Sequence, residues 1–307
     1  MKKVFLFALL LSLTLSLCAC GSTVFYSYAD ASRYTAGGTV ITGPADSLEI
    51  DWIDGSVTVA YHQANTVEIA ETAQKNLSDA EKLQWWLDGT TLRVKYAKSD
   101  SLVSSDLKKS LTITLPENTS APLKKVEISS ISGSIHCHPL YAENVKLSAI
   151  SGSVDAECAA DELKISTISG KITLAASANE IKLSSTSGAV EADIGHAEKV
   201  EINGTSGAIS LTGTEIKKAD IDSISGPVNA ALQKTESLEV SAISGAIRLS
   251  LPDDLGFTAD FSTVSGSLNN DLSAQRTGNR LVQGDGGAKI SVSTVSGSLT
   301  LAAYQEK

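Results

Sequence analysis

The feature of this sequence that most constrains its fold is a Ser-Gly dipeptide that recurs nine times between Ser132 and Gly297. From Gly133 to Gly245 the successive glycines are separated by 19, 18, 18, 19, 19 and 19 residues. A near-constant period of this length is typical of a solenoid, in which each repeat forms one coil that stacks on the next. The repeat glycines are Gly133, Gly152, Gly170, Gly188, Gly207, Gly226, Gly245, Gly266 and Gly297.

Aliphatic side chains occupy fixed positions around each glycine. Those seven and five residues before it and two residues after it are nearly all Ile, Val or Leu, as in Leu163, Ile165 and Ile172 around Gly170. This spacing of two predicts β-strands, and β-branched residues favour them. The aliphatic residue two positions before the glycine breaks the alternation, which indicates a bend between two strands, and we expect the aliphatic residues on both sides of the glycine to fill the core.

The residues at the bend itself are small. A small residue stands three positions before each repeat glycine, where a corner leaves little room, and the glycine fits a place where backbones stack closely or φ is unusual. We expect the serine before each glycine to form a structural ladder whose hydroxyls bond to the turn or to the neighbouring rung.

These patterns predict an all-β fold, a single-stranded parallel β-helix or β-solenoid with rungs of 18 or 19 residues. The repeats place the solenoid at residues 121–303, with a polar insertion at 269–287 that either caps the end or projects, and a tail at 304–307. The sequence around Gly55 fits the same columns, and 78 residues separate it from the first repeat glycine, which leaves room for about four rungs. Residues 41–120 are therefore predicted to be atypical N-terminal capping rungs.

Residues 1–20 have the composition of a secretory signal, with two lysines followed by an apolar run. The run ends in Leu17-Cys18-Ala19-Cys20, which resembles a bacterial lipobox and implies that Cys20 is lipidated and becomes the mature N-terminus. Cys18 fits less well, because Leu17 then occupies a position that needs a small side chain. The alternatives are a plain secretory signal or an uncleaved anchor. Residues 21–40 are predicted to be a tether, and the lipid is the expected attachment to the membrane.

Charge and cysteine content narrow the possible partners. Removal of the signal takes away Lys2 and Lys3 and leaves 23 basic and 35 acidic residues, a net charge of −12, and no lysine or arginine cluster, which argues against nucleic acid as a partner. Cys137 and Cys158 then remain. The alternation of their strands points both side chains inward, but the two residues are two positions out of register on neighbouring rungs. Buried thiols are therefore favoured over a disulfide.

The sequence resembles the bacterial putative-adhesin β-solenoid family. The similarity rests on the strand Trp52–Val59, the strand that ends in Leu115-Pro116, the Ser-Gly repeats and the terminal stretch Gly284–Val292, and it covers about residues 40–303. The resemblance implies a cell-envelope protein without an established enzyme activity. It brings no catalytic residues and no cofactor to this chain.

The strongest candidates for chemistry are incomplete. His136 and His138 share one strand face and could both reach a metal, but a stable site needs three or four ligands, so two solvated histidines are favoured and no metal is predicted. Ser105 and Lys108 match Ser-x-x-Lys without the companion motifs of the enzymes that use it. The glycines of 284–287 lack the spacing of a phosphate loop and indicate a turn.

Three functional classes stay open from the sequence. The favoured one is a non-enzymatic adhesin or envelope-binding protein with an unknown envelope protein or glycan as its partner. A polysaccharide-acting enzyme needs two placed carboxylates, and only Asp155/Glu157 and Glu191/Asp193 share columns, two rungs apart. A polymerising scaffold is the third class. Finally, three tryptophans form either a ligand-binding patch or the buried core of the cap; they are Trp52, Trp85 and Trp86.

Overall fold

The computed structural model describes residues 23–104, 107–117 and 122–305. These residues form an all-β solenoid, and the one helical element among them is a 3-10 turn at Ala31–Arg33. The strands in chain order are β1 (Thr23–Tyr26), β2 (Thr35–Ala36), β3 (Thr39–Ile41), β4 (Ser47–Trp52), β5 (Gly55–His62), β6 (Val67–Ala73), β7 (Gln84–Asp88), β8 (Thr91–Lys95), β9 (Ser101–Ser104), β10 (Lys109–Pro116), β11 (Leu123–Ser130), β12 (Ser134–Ala149), β13 (Val154–Thr167), β14 (Ile172–Ser185), β15 (Val190–Gly204), β16 (Ile209–Ser223), β17 (Val228–Ala242), β18 (Ile247–Leu251), β19 (Phe257–Thr263), β20 (Leu268–Asn270), β21 (Gln275–Thr277), β22 (Arg280–Gln283), β23 (Ala288–Thr294) and β24 (Leu299–Ala303).

The regular coils consist of two layers of parallel strands joined at the Ser-Gly corner. We call the layer formed by residues before each corner the pre-corner layer, and the layer formed by residues after it the post-corner layer. Equivalent positions of successive coils are directly paired, so that Ile165 lies beside Leu147 in the coil before and beside Leu183 in the coil after. The predicted aliphatic columns are therefore continuous ladders, and these three side chains are fully buried.

The repeat glycines lie where the backbones of successive coils come closest. A Cβ atom placed on Gly188 would lie 1.9 Å from the carbonyl oxygen of Gly170, and one on Gly170 would lie 1.8 Å from that of Gly152. No side chain fits at such a distance, so close stacking is what requires glycine in this column. Of the two reasons predicted for glycine, a positive φ applies in the ladder only to Gly55 and Gly245.

The hydroxyl groups that hold the corner belong to the position three residues before the glycine. Thr167, Ser185 and Ser223 are buried, and each donates to the carbonyl oxygen of the glycine three residues later, at 2.7 to 2.9 Å. The predicted serine ladder is more weakly bonded, because these serines are exposed at the corner; three of their hydroxyls reach the neighbouring coil at 3.4 Å. The backbone of this column is well bonded, with Ser151 N donating to Ile131 O at 2.7 Å.

The expectation that both flanking aliphatic residues fill the core is wrong for the residue two positions before the glycine. Ile243 and Val264 at this position are 52% and 82% exposed, whereas the residue two positions after the glycine is buried throughout. The physical reason is that inward parity continues through positions seven, five and three before the glycine. The next residue therefore points outward, and the bend follows it.

At the N-terminal end of the solenoid, the order in which the coils stack differs from their order in the sequence. The β4–β5 coil stacks directly under the β11–β12 coil, and the intervening residues lie beyond it. They form one further parallel coil from β8 and β10 rather than about four rungs. Antiparallel strands then cover its two open edges, β7 on β8 and β6 on β10.

Residues 23–40 do not form a free tether. Strand β1 pairs with β9, β2 pairs with β7, and Tyr26 is 2% exposed. The phenol oxygen of Tyr26 accepts a hydrogen bond from the backbone N–H of Tyr96 at 3.2 Å. This aromatic segment packs into the cap because burial of its rings removes apolar surface from water, which is more favourable than leaving the rings exposed on a linker.

A buried cation lies in the centre of the N-terminal cap. The ammonium of Lys109 is fully buried, 2.6 Å from the Glu71 carboxylate and 2.6 Å from the carbonyl oxygen of Glu81, and it lies over the ring of Tyr96 at 4.1 Å and that of Trp52 at 5.1 Å. Burial lowers the pKa of Lys109, and the hydrogen bond that its ammonium donates to Glu71 opposes that shift. This group ties strands β6, β8 and β10 together at the end of the stack.

The C-terminal end is also out of sequence order. The last segment of the chain, β23 and β24, lies between the β17–β18 coil and the coil of β19 and β20. The outermost coil therefore comes earlier in the sequence than the coil that lies beneath it. Within the insertion at 269–287, β22 pairs antiparallel with β19 and β21 pairs with β22, so this segment covers the end of the pre-corner layer.

Candidate functional site

A cleft of about 720 Å3 opens on the side of the solenoid where the N-terminal cap meets the regular coils. Its size is within the range of small-ligand sites. We call it the tyrosine cleft, after the two rings that line it. The lining residues are Ala45, Ala60, Tyr61, Leu115, Pro116, Glu117, Pro122, Leu123, His138, Pro139 and Tyr141.

The cleft exists because the regular pairing of the coils breaks at this point. Strand β5 ends at His62 and β10 ends at Pro116, beside each other. In β12 the register shifts between Cys137 and Leu140, so an irregular segment takes the place of straight strand. The buried side chains of Leu115 and Leu123 provide apolar lining.

Two tyrosines form an aromatic surface in the cleft. The rings of Tyr61 and Tyr141 are tilted by 60° with centroids 6.0 Å apart. Tyr141 is 51% exposed, while Tyr61 is more deeply placed and its phenol oxygen accepts a hydrogen bond from the backbone N–H of Tyr141 at 3.4 Å. Burial raises the pKa of Tyr61, so its hydroxyl stays protonated and can donate to a ligand. Exposed tyrosines of this kind supply apolar area together with a polar tip.

Polar groups stand at the rim. His138 contacts Asp155 with its Nε2 at 3.2 Å from the carboxylate, which orients the imidazole, and His136 lies 3.9 Å from the same carboxylate. Glu117 contributes a carboxylate that accepts a hydrogen bond from Gln63. In the described ranges no three His, Cys, Asp or Glu side chains are placed to hold a metal ion.

Cys137 and Cys158 are unbonded, buried thiols near this cleft. Cys137 pairs with Ala156 and Leu140 pairs with Cys158, which keeps the two cysteines out of step across neighbouring coils. Burial raises the pKa of Cys158 to about 12 and that of Cys137 still further. Neither thiol therefore has the thiolate character of a nucleophile.

The structure does not bring the three tryptophans together. Trp52 is 2% exposed and belongs to the core, where its ring contacts Tyr96 and its Nε1 donates to the carbonyl oxygen of Lys109 at 3.0 Å. Trp85 is half-buried and packs against the core. Trp86 faces the other way on β7, edge-on to Tyr34, with the guanidinium of Arg33 5.0 Å from its ring. A shared binding patch of these three residues does not form.

The carboxylates that an enzyme of polysaccharides would need are also apart. Asp155 and Glu191 both pair with Thr173, which lies between them, so a complete coil separates the two. Asp155 is engaged by His138, and Glu191 is paired with Lys171 at 2.6 Å. The Ser-x-x-Lys match begins at Ser105, which lies outside the described residues, as do the lipobox and Cys20.

Sequence reasoning missed the tyrosine cleft. Tyr61 and Tyr141 are 80 residues apart, and they meet because the coil of Gly55 stacks on the coil of Gly133. Alignment of those two glycines was the available signal. It places the tyrosines six and eight residues beyond their glycines, and the one-residue register shift between Cys137 and Leu140 reduces that offset from two positions to one.

The fold and the cleft define a class of protein: a parallel β-solenoid with antiparallel capping strands and a ligand-sized cleft at the edge of its N-terminal cap. The chain belongs to the Toastrack DUF4097 family, whose model matches residues 45–302. The resemblance to the bacterial putative-adhesin β-solenoid family is thereby confirmed at the level of family and fold. No curated protein matches the chain.

Solved structures of low sequence identity resemble this one. A putative adhesin from Bacteroides fragilis is 16% identical, with a TM-score of 0.48 over 70% of this chain and 97% of its own. A putative adhesin from Parabacteroides merdae is 15% identical, with a TM-score of 0.48 over 88% and 96%. A third, from Parabacteroides distasonis, is 14% identical, with a TM-score of 0.41 over 88% and 97%.

Proposed function

We propose that this chain is a lipid-anchored binding protein on the outer side of a bacterial cell membrane, which holds a glycan or protein component of the envelope and performs no chemistry on it. The observation on which this rests is the tyrosine cleft. It combines an apolar floor, two aromatic rings and a few polar rim groups, which is the composition of a binding site.

The proposed attachment comes from the sequence. Cys20 follows an apolar signal in a lipobox-like context, and lipid chains at that residue would hold the protein on the membrane surface. Within the described part of the chain, no helix is both long and apolar enough to cross a membrane. The closed cap lies near this end of the chain, so the solenoid would extend outward from it.

Two rival functions have less support. A polysaccharide-acting enzyme needs a carboxylate pair across one bond, and the candidate acids are engaged elsewhere or separated by a coil. A polymerising scaffold needs open strand edges at both ends, and here β6 and β7 lie antiparallel over the N-terminal edges and β22 over the pre-corner edge at the other end.

The test is a binding screen of the purified full-length protein in detergent against immobilised envelope polysaccharides and solubilised envelope proteins. We expect Tyr141→Ala to lower the affinity for the partner found in the screen more than tenfold, because the half-exposed ring is lost while the core of the fold is unchanged. Tyr304→Ala, at the far end of the chain, is the matched control and should bind like the unaltered protein. Equal affinity of the unaltered protein and the Tyr141 variant would contradict the assignment of the cleft.

A further inference from the structure

The outward face of the pre-corner layer has an unusual charge pattern. In the column six residues before each glycine, three lysines stack in register and are followed by three acidic residues. In the column eight residues before the glycine, two glutamates are followed by two lysines. The first column reads Lys146, Lys164, Lys182, Glu201, Asp220 and Glu239, and the second reads Glu162, Glu180, Lys199 and Lys218.

Both columns reverse their sign at the same step of the stack. That step lies between the coil of Glu180 and Lys182 and the coil of Lys199 and Glu201. Neighbouring coils are about 4.8 Å apart, so like charges face each other directly at every step of these runs except the one where the sign reverses. Such contacts are unfavourable, and an alternating column would have avoided them. The crowding is visible at Asp222, whose pKa is raised by burial and by the charges of Glu239 and Asp220.

Most contacts within the chain compensate these charges sideways, along one strand. Lys182 lies 2.8 Å from Glu180, Lys199 lies 3.4 Å from Glu201, and Lys218 lies 3.5 Å from Asp220. Along the columns, Lys146 pairs with Glu127 of the preceding coil at 2.5 Å, and Lys199 lies 3.9 Å from Glu180. The four central coils are therefore neutral in these two columns, while each column keeps a basic half and an acidic half over the residues named above. One carboxylate oxygen of Asp220 is buried without a hydrogen-bond partner.

We propose that this face binds a second copy of the chain, packed face to face with its stack of coils reversed. A two-fold axis along the strands, midway between Lys182 and Glu201, places each basic half opposite the partner's acidic half. In the first column Lys182 meets Glu201 and Lys164 meets Asp220 of the other copy, and each such pair occurs twice because the interface is isologous.

The remaining columns of the face are compatible with this arrangement. In the column eight residues before the glycine, Glu180 meets Lys199 and Glu162 meets Lys218 across the axis. The column four residues before the glycine has short side chains, so the two sheets can approach closely. There Ser166 meets Asp222 and can donate to its crowded carboxylate. The column consists of Ser148, Ser166, Ser184, Asn203, Asp222 and Ser241.

The size of the face sets the expected strength. Six coils and three columns give a footprint of about 24 Å by 13 Å, or about 300 Å2 on each copy. This is well below the roughly 800 Å2 per partner of a stable interface, so the dimer is expected to be weak, transient and sensitive to salt. Anchoring on a membrane would raise the local concentration of the chain and favour pairing. The face shares no residue with the tyrosine cleft, so failure of one proposal leaves the other standing.

Charge reversal tests the pairing. The variant Lys164→Glu/Lys182→Glu and the variant Glu201→Lys/Asp220→Lys each place like charges across the axis. Sedimentation of the full-length protein in detergent at up to about 100 µM and low salt should show a dimer for the unaltered chain and at least tenfold weaker association for each variant alone. An equimolar mixture of the two variants should form a heterodimer as tight as the original dimer, because all pairs are restored.

A cross-link provides a second measurement that does not depend on those variants. Residue Ser184 lies about half of one coil spacing from the axis, so the thiols of the two copies of Ser184→Cys face each other across the interface. A short bismaleimide should therefore join them. Ser241→Cys lies in the same column but about 24 Å from its copy and is the matched control, which should not cross-link. The proposal is overturned if the unaltered chain stays monomeric, if the mixture associates no better than its components, or if both cysteine variants cross-link equally.

Discussion

Replacement of one repeat glycine tests the physical basis of the solenoid. In Gly188→Ala the new Cβ would lie 1.9 Å from the carbonyl oxygen of Gly170 and 2.5 Å from its carbonyl carbon. An ordinary contact between such atoms is about 3.2 Å or more, so the two coils must separate by more than about 1 Å at this corner. Neither neighbour is the flexible end of a side chain, so the backbone itself must move.

The cost follows from the hydrogen bonds that this separation breaks. Ser187 N donates to Ile168 O at 2.7 Å, and Ile172 N donates to Ala189 O at 2.9 Å. An opening of about 1 Å stretches both beyond hydrogen-bonding distance, which costs about 1 kcal/mol for each bond and more for groups left buried. We expect a total loss of about 3–5 kcal/mol and a fall of roughly 10 °C in the melting midpoint.

The assay is urea denaturation followed by circular dichroism, with a second glycine as control. In Gly195→Ala the new Cβ would lie 2.8 Å from the Ser177 hydroxyl, which belongs to an exposed side chain and can rotate away. That variant should lose less than about 1 kcal/mol. If the two alanine variants lose the same free energy of unfolding, close backbone stacking is not the reason for the glycine ladder.

Three further predictions concern the N-terminal half. Cys20→Ala should abolish labelling by a palmitate analogue and release the protein from the membrane fraction, whereas Cys18→Ala should keep both; retention of the label in Cys20→Ala would contradict the lipobox. Lys109→Met leaves the Glu71 carboxylate buried without its cation and should cost about 3–5 kcal/mol of unfolding free energy in urea, most of which Lys109→Met/Glu71→Leu should recover. The hydrogen bond from Lys75 lowers the pKa of Glu81 from 4.5 to about 2, so its stabilising contribution is complete above pH 4.5 and is lost as the pH falls towards 2. Glu81→Gln should flatten the pH dependence of the melting midpoint in that window, and an unchanged slope would refute this.

The columns of the regular coils were predictable because they depend on local periodicity alone. Ile165 and Ile172 are buried as their spacing indicates, and each repeat glycine is placed by its own coil. The error at Ile243 arose at the bend, where the sequence shows that the alternation breaks but not which of two adjacent residues turns outward. In the structure the buried hydroxyl of Thr167 donates to the carbonyl oxygen of Gly170. This bond holds the residue three positions before the glycine inward, so the next residue is the one that turns outward.

The ends and the cleft depend on pairings between distant segments, which local patterns do not specify. Nothing in the spacing of β23 indicates that it enters between β17 and β19. The same holds for Tyr61 and Tyr141, whose meeting requires both the stacking of two remote coils and an irregular segment in one of them. The aromatic residues at 23–40 belong to the cap for a similar reason, since their partner strand β9 is far along the chain.

The out-of-order coils at the two ends change how this molecule can open. A solenoid whose last coil is also its outermost coil frays from the terminus, one layer at a time. Here residues 288–303 are bracketed by coils on both sides, and residues 257–270 form the outer layer. Amide hydrogens of residues 288–303 should therefore exchange with solvent more slowly than those of residues 257–270, and proteases and local melting should attack the earlier segment first.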